Sequence, residues 1–551
     1  MSRTAHVDTF ARDRLPPRDA WPELIFDLPE LVYPERMNCA VELLAGAIAR
    51  GQGERVAVRS TDGVSWTYRQ LDELSNRIAR LLAADLGVVP GNRVLLRGPN
   101  SPMMAACWFA IMKAGAIAVA TMPLLRAKEL TDIVTKSEAS HALCDARLAE
   151  ELDLARPACP SLRTVVRFQT DAADGVEARA ARLPASFDAV ATAAEDIALI
   201  AFTSGTTGKP KGTMHTHRDV IAACDCWPKY HLKATADDVF VGSPPLAFTF
   251  GLGGLLLFPL RIGASALLVE RPAPETLIEV VERDRPTVLF TAPTSYRAMA
   301  LASAGRDFSS LRKCVSAGEA LPAATRKLWK DATGIDIIDG IGSTEMLHIF
   351  ISHPDDDVRP GATGKPVPGY RAAILDEVGR PLPPGEVGRL AVKGPTGCKY
   401  LDDPRQSNYV QDGWNMTGDA YLCDKDGWYV YQARTDDMIV SAGYNIAGPE
   451  VESALLAHPA VAECGVVAAP DEERGMIVKA YVVLKPGHAG DAATTRALQD
   501  HVKASIAPYK YPRAIEYVGS LPRTETGKLQ RFRLRQMAQT TPTTPPTRGA
   551  R

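Results

Sequence analysis

The sequence has almost no excess of charge of either sign. Its 551 residues include 63 Lys and Arg and 65 Asp and Glu, which gives a formal net charge of −2 at pH 7. A protein that binds nucleic acid or an anionic membrane usually carries a basic excess, so we expect neither partner. The balance favours an enzyme that acts on small molecules.

The sequence also lacks paired cysteines. Its ten cysteines are scattered and none forms a CxxC motif, which is typical of reduced thiols in a cytosolic protein. Residues 1–21 contain no apolar core of a secretory signal. We therefore expect a cytoplasmic protein.

No apolar run has the length and composition of a transmembrane helix. The best candidate, residues 103–122, is interrupted by Lys113 and Gly115 and consists mostly of small residues. A membrane-spanning helix needs about 20 predominantly apolar residues. We predict instead a buried helix, a turn at residues 113–115 and a buried strand.

Signatures of a protein nucleophile are missing as well. The sequence contains no GxSxG motif, no evident Cys/His pair and no internal repeat. Their absence fits a reaction in which no side chain of the protein has to form a covalent intermediate.

What is present is a repeated alternation of apolar strands and helix-length segments. At residues 71–82, leucine and isoleucine recur at helical spacing, which predicts an amphipathic helix that covers a sheet. Short apolar runs predict buried strands at 93–98, 197–203, 237–243, 264–269, 287–292 and 311–318. This pattern indicates an α/β fold with mainly parallel strands, whose ligands usually bind at the carboxyl ends of the strands.

The pattern changes after about residue 365. Residues 369–395 hold short β-branched runs separated by Gly and Pro, which predict hairpins of a small β-rich subdomain. A compact alternation follows, with predicted helices at 448–458 and 494–506 and predicted strands at 462–469, 479–485 and 514–519. We predict a large domain at 1–435, a small domain at 436–538 and a Thr/Pro-rich disordered tail at 539–551.

A turn rich in glycine and lysine follows the predicted strand at 197–203. Residues 203–212 read TSGTTGKPKG, in which glycines can turn successive N–H groups inward while hydroxyls and lysines add donors and charge. These are the ingredients of a phosphate-binding loop. It is not the common P-loop, because Pro210 follows Lys209 where that motif has Ser or Thr.

This turn resembles the phosphate-binding signature of the adenylate-forming enzymes, which include the acyl-CoA and aryl-CoA synthetases. Further motifs of that family follow in order: DGIGSTEM at 339–346, TGD at 417–419, RTDD at 434–437, SAGYN at 441–445 and PRTETGKLQR at 522–531. The resemblance implies a large N-terminal domain, built of parallel-sheet layers and a small β-rich subdomain, and a small mobile α+β C-terminal lid.

One departure from the family pattern narrows the resemblance. Most members have Asn and Tyr where this chain has Asp339 and Ile341, but the benzoate-CoA ligases resemble it here, including GIGSTEMLH at 340–348. Residues 15–44 and the rest of the chain, apart from the last dozen residues, look most like the 2-aminobenzoate-CoA ligases of that branch.

The resemblance implies an ATP site. Thr344 would approach the α-phosphate, and Glu345 would hold Mg²⁺, which favours one or two carboxylates together with phosphate oxygens. Asp419 would accept hydrogen bonds from the ribose hydroxyls. The implied ATP and AMP contacts are Thr203, Ser204, Gly205, Thr206, Thr207, Gly208, Lys209, Lys211, Gly318, Glu319, Asp339, Gly340, Ile341, Gly342, Ser343, Asp419 and Arg434.

The resemblance also implies how two reaction steps share one site. Lys528 would be the catalytic lysine that reaches the substrate carboxylate and the α-phosphate. Gly443 and Tyr444 would line a CoA tunnel, where a residue without a Cβ leaves room along the backbone. Asp436 would be the hinge about which the C-terminal domain rotates between the two half-reactions.

The acyl pocket implied by the benzoate-CoA ligases lies near the strand that carries residues 245–254. Its members would be Phe248, Thr249, Phe250, Gly251, Ala317 and His348. Aromatic side chains suit a flat ring, whose full burial gains about 1.5 to 3 kcal/mol. The same residues would also suit an ordinary core, and His348 would also suit an interior histidine. The hydroxyl of Thr249 offers a hydrogen-bond partner for an ortho amino group.

Together these motifs predict an ATP-dependent aryl-CoA ligase. An aromatic carboxylate, with 2-aminobenzoate favoured over benzoate, is already ionised at neutral pH and would attack the α-phosphorus of ATP without a general base. Pyrophosphate would leave, and CoA would then take the aroyl group with release of AMP. The expected cofactors are ATP, Mg²⁺ and coenzyme A.

Two alternatives stay open at this point. The enzyme could load a carrier-protein thiol, or it could be a CoA ligase for another substituted benzoate. The expected partners are small molecules, with neither nucleic acid nor membrane, and a homodimer is left open.

Overall fold

The computed structural model describes residues 4–203, 210–435, 437–441, 444–471, 475–506, 508–523 and 529–540. Within these ranges the chain forms 25 strands and 16 α-helices, joined by short 3-10 and π-helical turns. The strands are β1 Val56–Ser60, β2 Ser65–Thr67, β3 Arg93–Arg97, β4 Ile117–Thr121, β5 His141–Asp145, β6 Thr164–Phe168, β7 Ile197–Thr203, β8 Lys211–Thr216, β9 Val239–Gly242, β10 Ser265–Leu268, β11 Val288–Thr291, β12 Lys313–Ser316, β13 Ile337–Gly342, β14 Ile349–Ser352, β15 Lys365–Pro366, β16 Arg371–Leu375, β17 Val387–Lys393, β18 Val410–Gln411, β19 Trp414–Cys423, β20 Tyr429–Arg434, β21 Ile439–Ser441, β22 Tyr444–Ile446, β23 Val461–Asp471, β24 Gly475–Leu484 and β25 Ala514–Tyr517.

The α-helices alternate with these strands through most of the chain. They are α1 Phe10–Asp13, α2 Tyr68–Arg80, α3 Pro102–Lys113, α4 Ala127–Ser137, α5 Ala149–Ala155, α6 Val176–Ala180, α7 His217–Asp225, α8 Thr249–Leu252, α9 Phe258–Ile262, α10 Pro274–Asp284, α11 Pro293–Leu301, α12 Ala323–Thr333, α13 Gln406–Tyr409, α14 Gly448–Leu456, α15 Ala492–Ser505 and α16 Arg531–Thr540.

Two large sheets form the N-terminal part of the molecule. The first has six strands in the order β6-β5-β3-β4-β7-β8, which are parallel except for the antiparallel pair β7 and β8. The second has nine strands in the order β15-β14-β13-β12-β11-β9-β10-β1-β2, with a parallel centre from β13 to β1. The predicted α/β fold with mainly parallel strands is therefore confirmed.

The apolar segment at 103–122 is a buried helix followed by a buried strand, as predicted. It forms α3 and β4, and every residue of α3 is buried. Lys113, at the end of α3, is only 2% exposed, and its Nζ lies 2.7 Å from Asp72 Oδ1 and 2.7 Å from Asn76 Oδ1 on α2. Burial lowers the pKa of Lys113, and Asp72 opposes that shift. Within the described ranges, no helix combines the length and the apolar character needed to cross a membrane.

A third sheet follows the nine-stranded one in the chain. Its strands β16, β17, β19 and β18 pair in that order, β20 pairs with β19, and all of these pairs are antiparallel. The hairpin predicted at 369–395 is β16 and β17. This sheet is the predicted small β-rich subdomain.

The C-terminal unit has a three-stranded sheet of β23, β24 and β25, with β21 and β22 forming a separate antiparallel pair. Helices α14 and α15 pack on one apolar cluster with β21, and α16 packs on a second with Leu521. The predicted helices and strands of this region are all present. Helix α16 continues to Thr540 and so includes the first two residues of the predicted tail; residues 541–551 lie outside the described ranges.

The prediction for residues 245–254 was wrong in one respect. The sequence placed them on a strand, but β9 ends at Gly242 and residues 249–252 form α8, which a π-helical turn at Gly253–Leu257 and α9 continue. Consecutive prolines at 244 and 245 end the strand, because proline cannot donate a ladder hydrogen bond. The apolar run that follows is long enough to be a buried helix.

Candidate active site

The carboxyl ends of neighbouring strands in the nine-stranded sheet bring the predicted acyl and adenine segments together. Gly242 of β9 pairs with Phe290 of β11, and Ser316 of β12 pairs with Asp339 of β13. Residues 243–251, 317–319 and 340–348 continue from the ends of β9, β12 and β13. In parallel α/β sheets this edge is where ligands usually bind.

The GSTE segment is both a capped turn and part of the site. Ser343 caps a 3-10 turn at Thr344–Met346, its Oγ accepting from the Met346 N–H at 3.2 Å. His215 Nε2 of β8 lies 2.7 Å from the Thr344 carbonyl oxygen. Leu347 follows with φ 68°, a left-handed conformation that is strained for a bulky side chain. The turn is therefore held by the Ser343 cap and by His215 of β8.

Glu345 lies at the centre of a buried polar cluster. Glu345 is 7% exposed. Its Oε1 lies 3.2 Å from Lys211 Nζ and 2.5 Å from the Tyr400 hydroxyl. Lys211 also donates to that hydroxyl at 2.8 Å. Lys211 is on β8, Glu345 follows β13, and Tyr400 precedes the third sheet's β18, so the cluster joins three parts of the fold.

Two tyrosines of this cluster keep their protons. Burial raises the pKa of Tyr400 far above its usual range, and Glu345 adds to the shift, so the hydroxyl donates to the carboxylate. Burial also raises the pKa of Tyr409, and the negative charges of Glu345 and Asp419 raise it further. Tyr409 lies 3.2 Å from Ser343 Oγ. Glu345 and Asp419, the carboxylates predicted to hold the metal and the ribose, are therefore both close to Tyr409.

Glu345 suits a magnesium ion that arrives with ATP. Oε2 of Glu345 receives no hydrogen bond from any described residue and is available to a cation. Among the described residues no group of three or more His, Cys, Asp and Glu side chains could form an all-protein metal site. One carboxylate with phosphate oxygens is the donor set that Mg²⁺ prefers, so the residues present fit this ion.

Asp339 is a buried carboxyl at the adenine segment. It is 7% exposed, and its Oδ1 has no hydrogen-bond partner among the described residues. Burial raises its pKa to about 7, which Arg326 and the Gly340 backbone oppose. Its backbone N–H donates to His353 Nε2 at 3.3 Å, and Arg326 donates to the same nitrogen at 3.1 Å. The predicted place of Asp339 beside adenine stays a prediction.

The two residues predicted for ribose binding face each other across β19 and β20. Asp419 pairs with Arg434 in the strand register, and Arg434 Nη1 lies 3.1 Å from Asp419 Oδ1 and 3.0 Å from the Thr417 carbonyl oxygen. Gly418 has φ 77°, and a Cβ there would lie 2.6 Å from Arg434 Nη2. The TGD sequence thus makes the close approach of the arginine possible.

Two of the predicted acyl residues, Phe250 and His348, lie in an aromatic cluster with Trp227 and Phe258. The His348 ring centroid lies 5.6 Å from Phe250, 5.6 Å from Trp227 and 4.4 Å from Phe258. Burial lowers the pKa of His348 to about 3, which the Phe250 backbone opposes, so the ring is neutral at physiological pH. Neither ring nitrogen forms a well-aligned hydrogen bond with a described residue.

The remaining predicted acyl residues are buried or half-buried. Thr249 is the first residue of α8 and is 7% exposed, and Ala317 is 5% exposed. A Cβ on Gly251 would lie 2.1 Å from the Pro245 carbonyl oxygen, so the start of α8 packs closely against the loop that precedes it. Phe248 caps α8 and is half-buried.

Several predicted site residues lie outside the described ranges or are described only in part. Outside the ranges are Ser204, Gly205, Thr206, Thr207, Gly208, Lys209, Asp436, Gly443 and Lys528. Thr203 ends β7 immediately before the phosphate-loop segment. Tyr444 begins β22, which pairs with β21, and its part in a CoA tunnel stays a prediction. Gly318, with φ 90°, and Glu319 follow β12.

Sequence reasoning missed four polar residues that support the site. They are Tyr400, which binds Glu345, His215, which contacts the Thr344 carbonyl, and the buried ion pair of Asp219 with Lys399 at 3.0 Å. Burial acts to raise the pKa of Asp219, but Lys399 and His215 outweigh it and lower that pKa. The sequence reads HTHRD at 215–219 and CKYL at 398–401, and neither run carries a motif that would have indicated these contacts.

Comparisons with known proteins identify the class to which this site belongs. Residues 47–399 match the family of AMP-binding enzymes, and residues 450–528 match the AMP-binding enzyme C-terminal domain. The chain therefore belongs to the AMP-binding enzyme family, whose members form adenylates.

Full-length relatives narrow the assignment. The chain is 38% identical to the benzoate–CoA ligase of Thauera aromatica over 517 residues, which cover 92% of this chain and 97% of the relative. It superposes on the anthranilate CoA ligase AuaEII in complex with anthranoyl-AMP with a TM-score of 0.87 at 37% identity, covering 92% and 98% of the two chains. A benzoate CoA ligase from Burkholderia xenovorans gives a TM-score of 0.82 at 34% identity, covering 91% and 100%. The protein is an AMP-forming CoA ligase of the benzoate-CoA ligase branch.

Proposed function

We propose that this CoA ligase activates 2-aminobenzoate, with benzoate as the next substrate. It would form the aroyl-adenylate from ATP with release of pyrophosphate and then transfer the aroyl group to CoA, releasing AMP. The observation that carries the substrate class is the aromatic cluster around neutral His348, and Thr249, which begins α8, directly precedes Phe250 of that cluster. The likeness to AuaEII, an anthranilate CoA ligase, supports the amino substituent, because anthranilate is 2-aminobenzoate.

The first half-reaction is an electrostatic problem that the named residues would solve. The substrate carboxylate is an anion that must approach the α-phosphate of a polyanion, so positive charge has to be close by. Lys211 supplies one such charge beside Glu345, and Lys528 would supply another from the C-terminal domain. Mg²⁺ held by Glu345 would screen the phosphate charge and the departing pyrophosphate.

The nucleotide itself would be held by residues that the fold already orients. The buried Asp419 would accept hydrogen bonds from the ribose hydroxyls, and Arg434 of β20 contacts its carboxylate. Asp339 would accept from the amino group of adenine. The domain boundaries near residues 435 and 538, the hinge at Asp436, the cytoplasmic location and a homodimer stay predictions.

Replacement of Thr249 tests the substrate. Thr249→Val keeps the side-chain shape but removes the hydroxyl, so the preference for 2-aminobenzoate over benzoate in kcat/KM should fall about fivefold, the value of one neutral hydrogen bond. Thr249→Ser is the matched control, because it keeps the hydroxyl and should keep the preference. An unchanged preference in Thr249→Val and Thr249→Ala would rule out the contact with the amino group.

A second assay tests both the proposed substrate and the transfer of the aroyl group to CoA. ATP/pyrophosphate exchange with a panel of benzoates, run with and without CoA, should show exchange with 2-aminobenzoate and AMP release that requires CoA. Exchange without CoA-dependent AMP release would favour transfer to a carrier-protein thiol instead.

A further inference from the structure

Residues 398–401 form an extended segment that runs beside β8. The Met214 N–H donates to the Lys399 carbonyl oxygen at 2.8 Å, and the Leu401 N–H donates to the Gly212 carbonyl oxygen at 2.8 Å. Consecutive side chains of an extended segment point to opposite sides. Lys399 accordingly reaches Asp219 of α7, whereas Tyr400 reaches Glu345.

The direction of the Tyr400 side chain is fixed by its surroundings. The residue is 1% exposed, and its backbone N–H donates to Gln406 Oε1 at 2.9 Å. Gln406 in turn donates to the Cys398 and Ala20 carbonyl oxygens at 3.1 Å and 2.9 Å. The Tyr400 ring packs edge-on against Tyr409 with centroids 5.8 Å apart. Tyr400 is therefore held rigidly when its hydroxyl meets the carboxylate.

The hydroxyl and the Lys211 ammonium both engage the same oxygen of Glu345. Oε1 lies 2.5 Å from the hydroxyl and 3.2 Å from Nζ, while Oε2 has no hydrogen bond from a described residue. An ammonium has three donors on a flexible stem and would by itself pair with either oxygen. The hydroxyl, on a rigid ring, selects one oxygen.

We propose that Tyr400 is a positioning residue for adenylation, which engages Oε1 of Glu345 so that Oε2 is turned toward the divalent cation accompanying ATP. The proposal rests on the proposed function only in assigning that cation to Glu345. A partner that fixes a ligating carboxylate commonly contributes tenfold or more to metal affinity, because the ligand then loses less freedom on binding. A phenol does this without adding a charge that would repel the cation.

Removal of the hydroxyl alone tests the role. We would measure the binding of Mn²⁺, as a paramagnetic substitute for Mg²⁺, to the enzyme saturated with α,β-methylene-ATP, which cannot be cleaved at the α-phosphate. Tyr400→Phe should weaken Mn²⁺ binding about tenfold or more. Thioester formation from supplied aroyl-AMP, which needs no ATP-bound metal, should stay within twofold of wild type, and the unfolding temperature should change by only a few degrees.

Tyr68→Phe is the matched control. Tyr68, the first residue of α2, is fully buried and its hydroxyl donates to the carbonyl oxygen of Ala264, just before β10, at 2.6 Å, so its loss should leave Mn²⁺ affinity unchanged.

The outcomes separate this role from a structural one and from the proposed function. Unchanged Mn²⁺ affinity in folded Tyr400→Phe overturns the proposal, as does equal loss of Mn²⁺ binding and thioester formation. Failure of wild type to bind Mn²⁺ with the nucleotide analogue also overturns it. If no benzoate supports pyrophosphate exchange in wild type, the proposed substrate class fails, while the Mn²⁺ titration still decides the role of Tyr400.

Discussion

At the scale of single residues, Asp339 shows what a sequence can and cannot reveal. The sequence shows that this chain has an aspartate where most adenylate-forming enzymes have asparagine. It does not show that the fold buries this carboxyl, so that burial raises its pKa to about 7. The consequence is an ionisable group, in the segment predicted to border adenine, whose pKa lies near neutral pH.

Asp339→Asn should change how stability depends on pH. The pKa of Asp339 is raised in the folded state, so between about pH 4 and pH 7 the folded protein holds a proton that the unfolded chain has released. Wild type therefore loses stability as pH rises through this window, by up to about 1.4 kcal/mol per pH unit, and asparagine does not. The advantage of Asp339→Asn in the free energy of unfolding should grow from pH 5 to pH 8.

Thermal or urea unfolding at several pH values measures this difference. Asp331→Asn is a suitable control, because that side chain is 61% exposed and pairs with Lys327 at the surface. Its effect should vary by no more than about 0.5 kcal/mol over the same range. A constant difference between wild type and Asp339→Asn would show that the carboxyl does not titrate in this window.

At the scale of secondary structure, the sequence predicted strands and helices well but misplaced residues 245–254. Apolar runs of four to seven residues between helical segments identify buried strands, because few other structures bury such runs completely. The run after Pro245 is apolar too, and periodicity cannot tell a fully buried helix from a buried strand. The contacts of Gly253 and Gly254 with His348 and Phe290 show why a helix without Cβ atoms on that face fits here.

Gly253→Ala should disturb the predicted acyl pocket through this helix. A Cβ there would lie 2.4 Å from His348 Cδ2 and 2.9 Å from Phe258 Cζ, so the imidazole ring has to move. We expect KM for the aromatic acid to rise at least fivefold, as packing changes in full cores commonly cost 1 to 3 kcal/mol, while KM for ATP changes less than twofold.

Steady-state kinetics with each substrate varied in turn separates these effects. Gly519→Ala serves as the control, because a Cβ there would meet nothing within 4 Å. Equal increases in KM for the acid and for ATP would point to general loss of structure rather than to displacement of the His348 ring.

At the scale of the whole molecule, the motifs could be found in the sequence, but the residues that contact them from distant parts of the chain could not. Glu345 and Lys211 belong to recognisable motifs, whereas Tyr400 lies 189 residues from Lys211 and contacts it only because the segment before β18 pairs with β8. Strand order creates such contacts, and a single sequence does not contain strand order. The same limit applies to the aromatic cluster, where Trp227 and Phe258 join His348 from a different part of the chain.

Lys528→Ala tests the division of labour between the two parts of the molecule. The lysine would be needed only while the carboxylate and the α-phosphate react, because its charge stabilises that transition state and not the attack of a thiol on the adenylate. Loss of a donor of this kind commonly costs a factor of about 100 to 1,000. Pyrophosphate exchange should therefore fall by at least about 100-fold, while thioester formation from supplied aroyl-AMP should stay within about threefold of wild type.

The comparison of the two half-reactions decides whether the C-terminal unit acts as a mobile lid. Lys503→Ala, on α15 and paired with Asp500 at the surface, is the matched control and should affect neither step. If Lys528→Ala slowed both steps equally, one fixed arrangement would serve the whole reaction and rotation about Asp436 would be unnecessary. Selective loss of the first step would show that Lys528 acts only in that step, as expected if a domain that carries it turns away before the second.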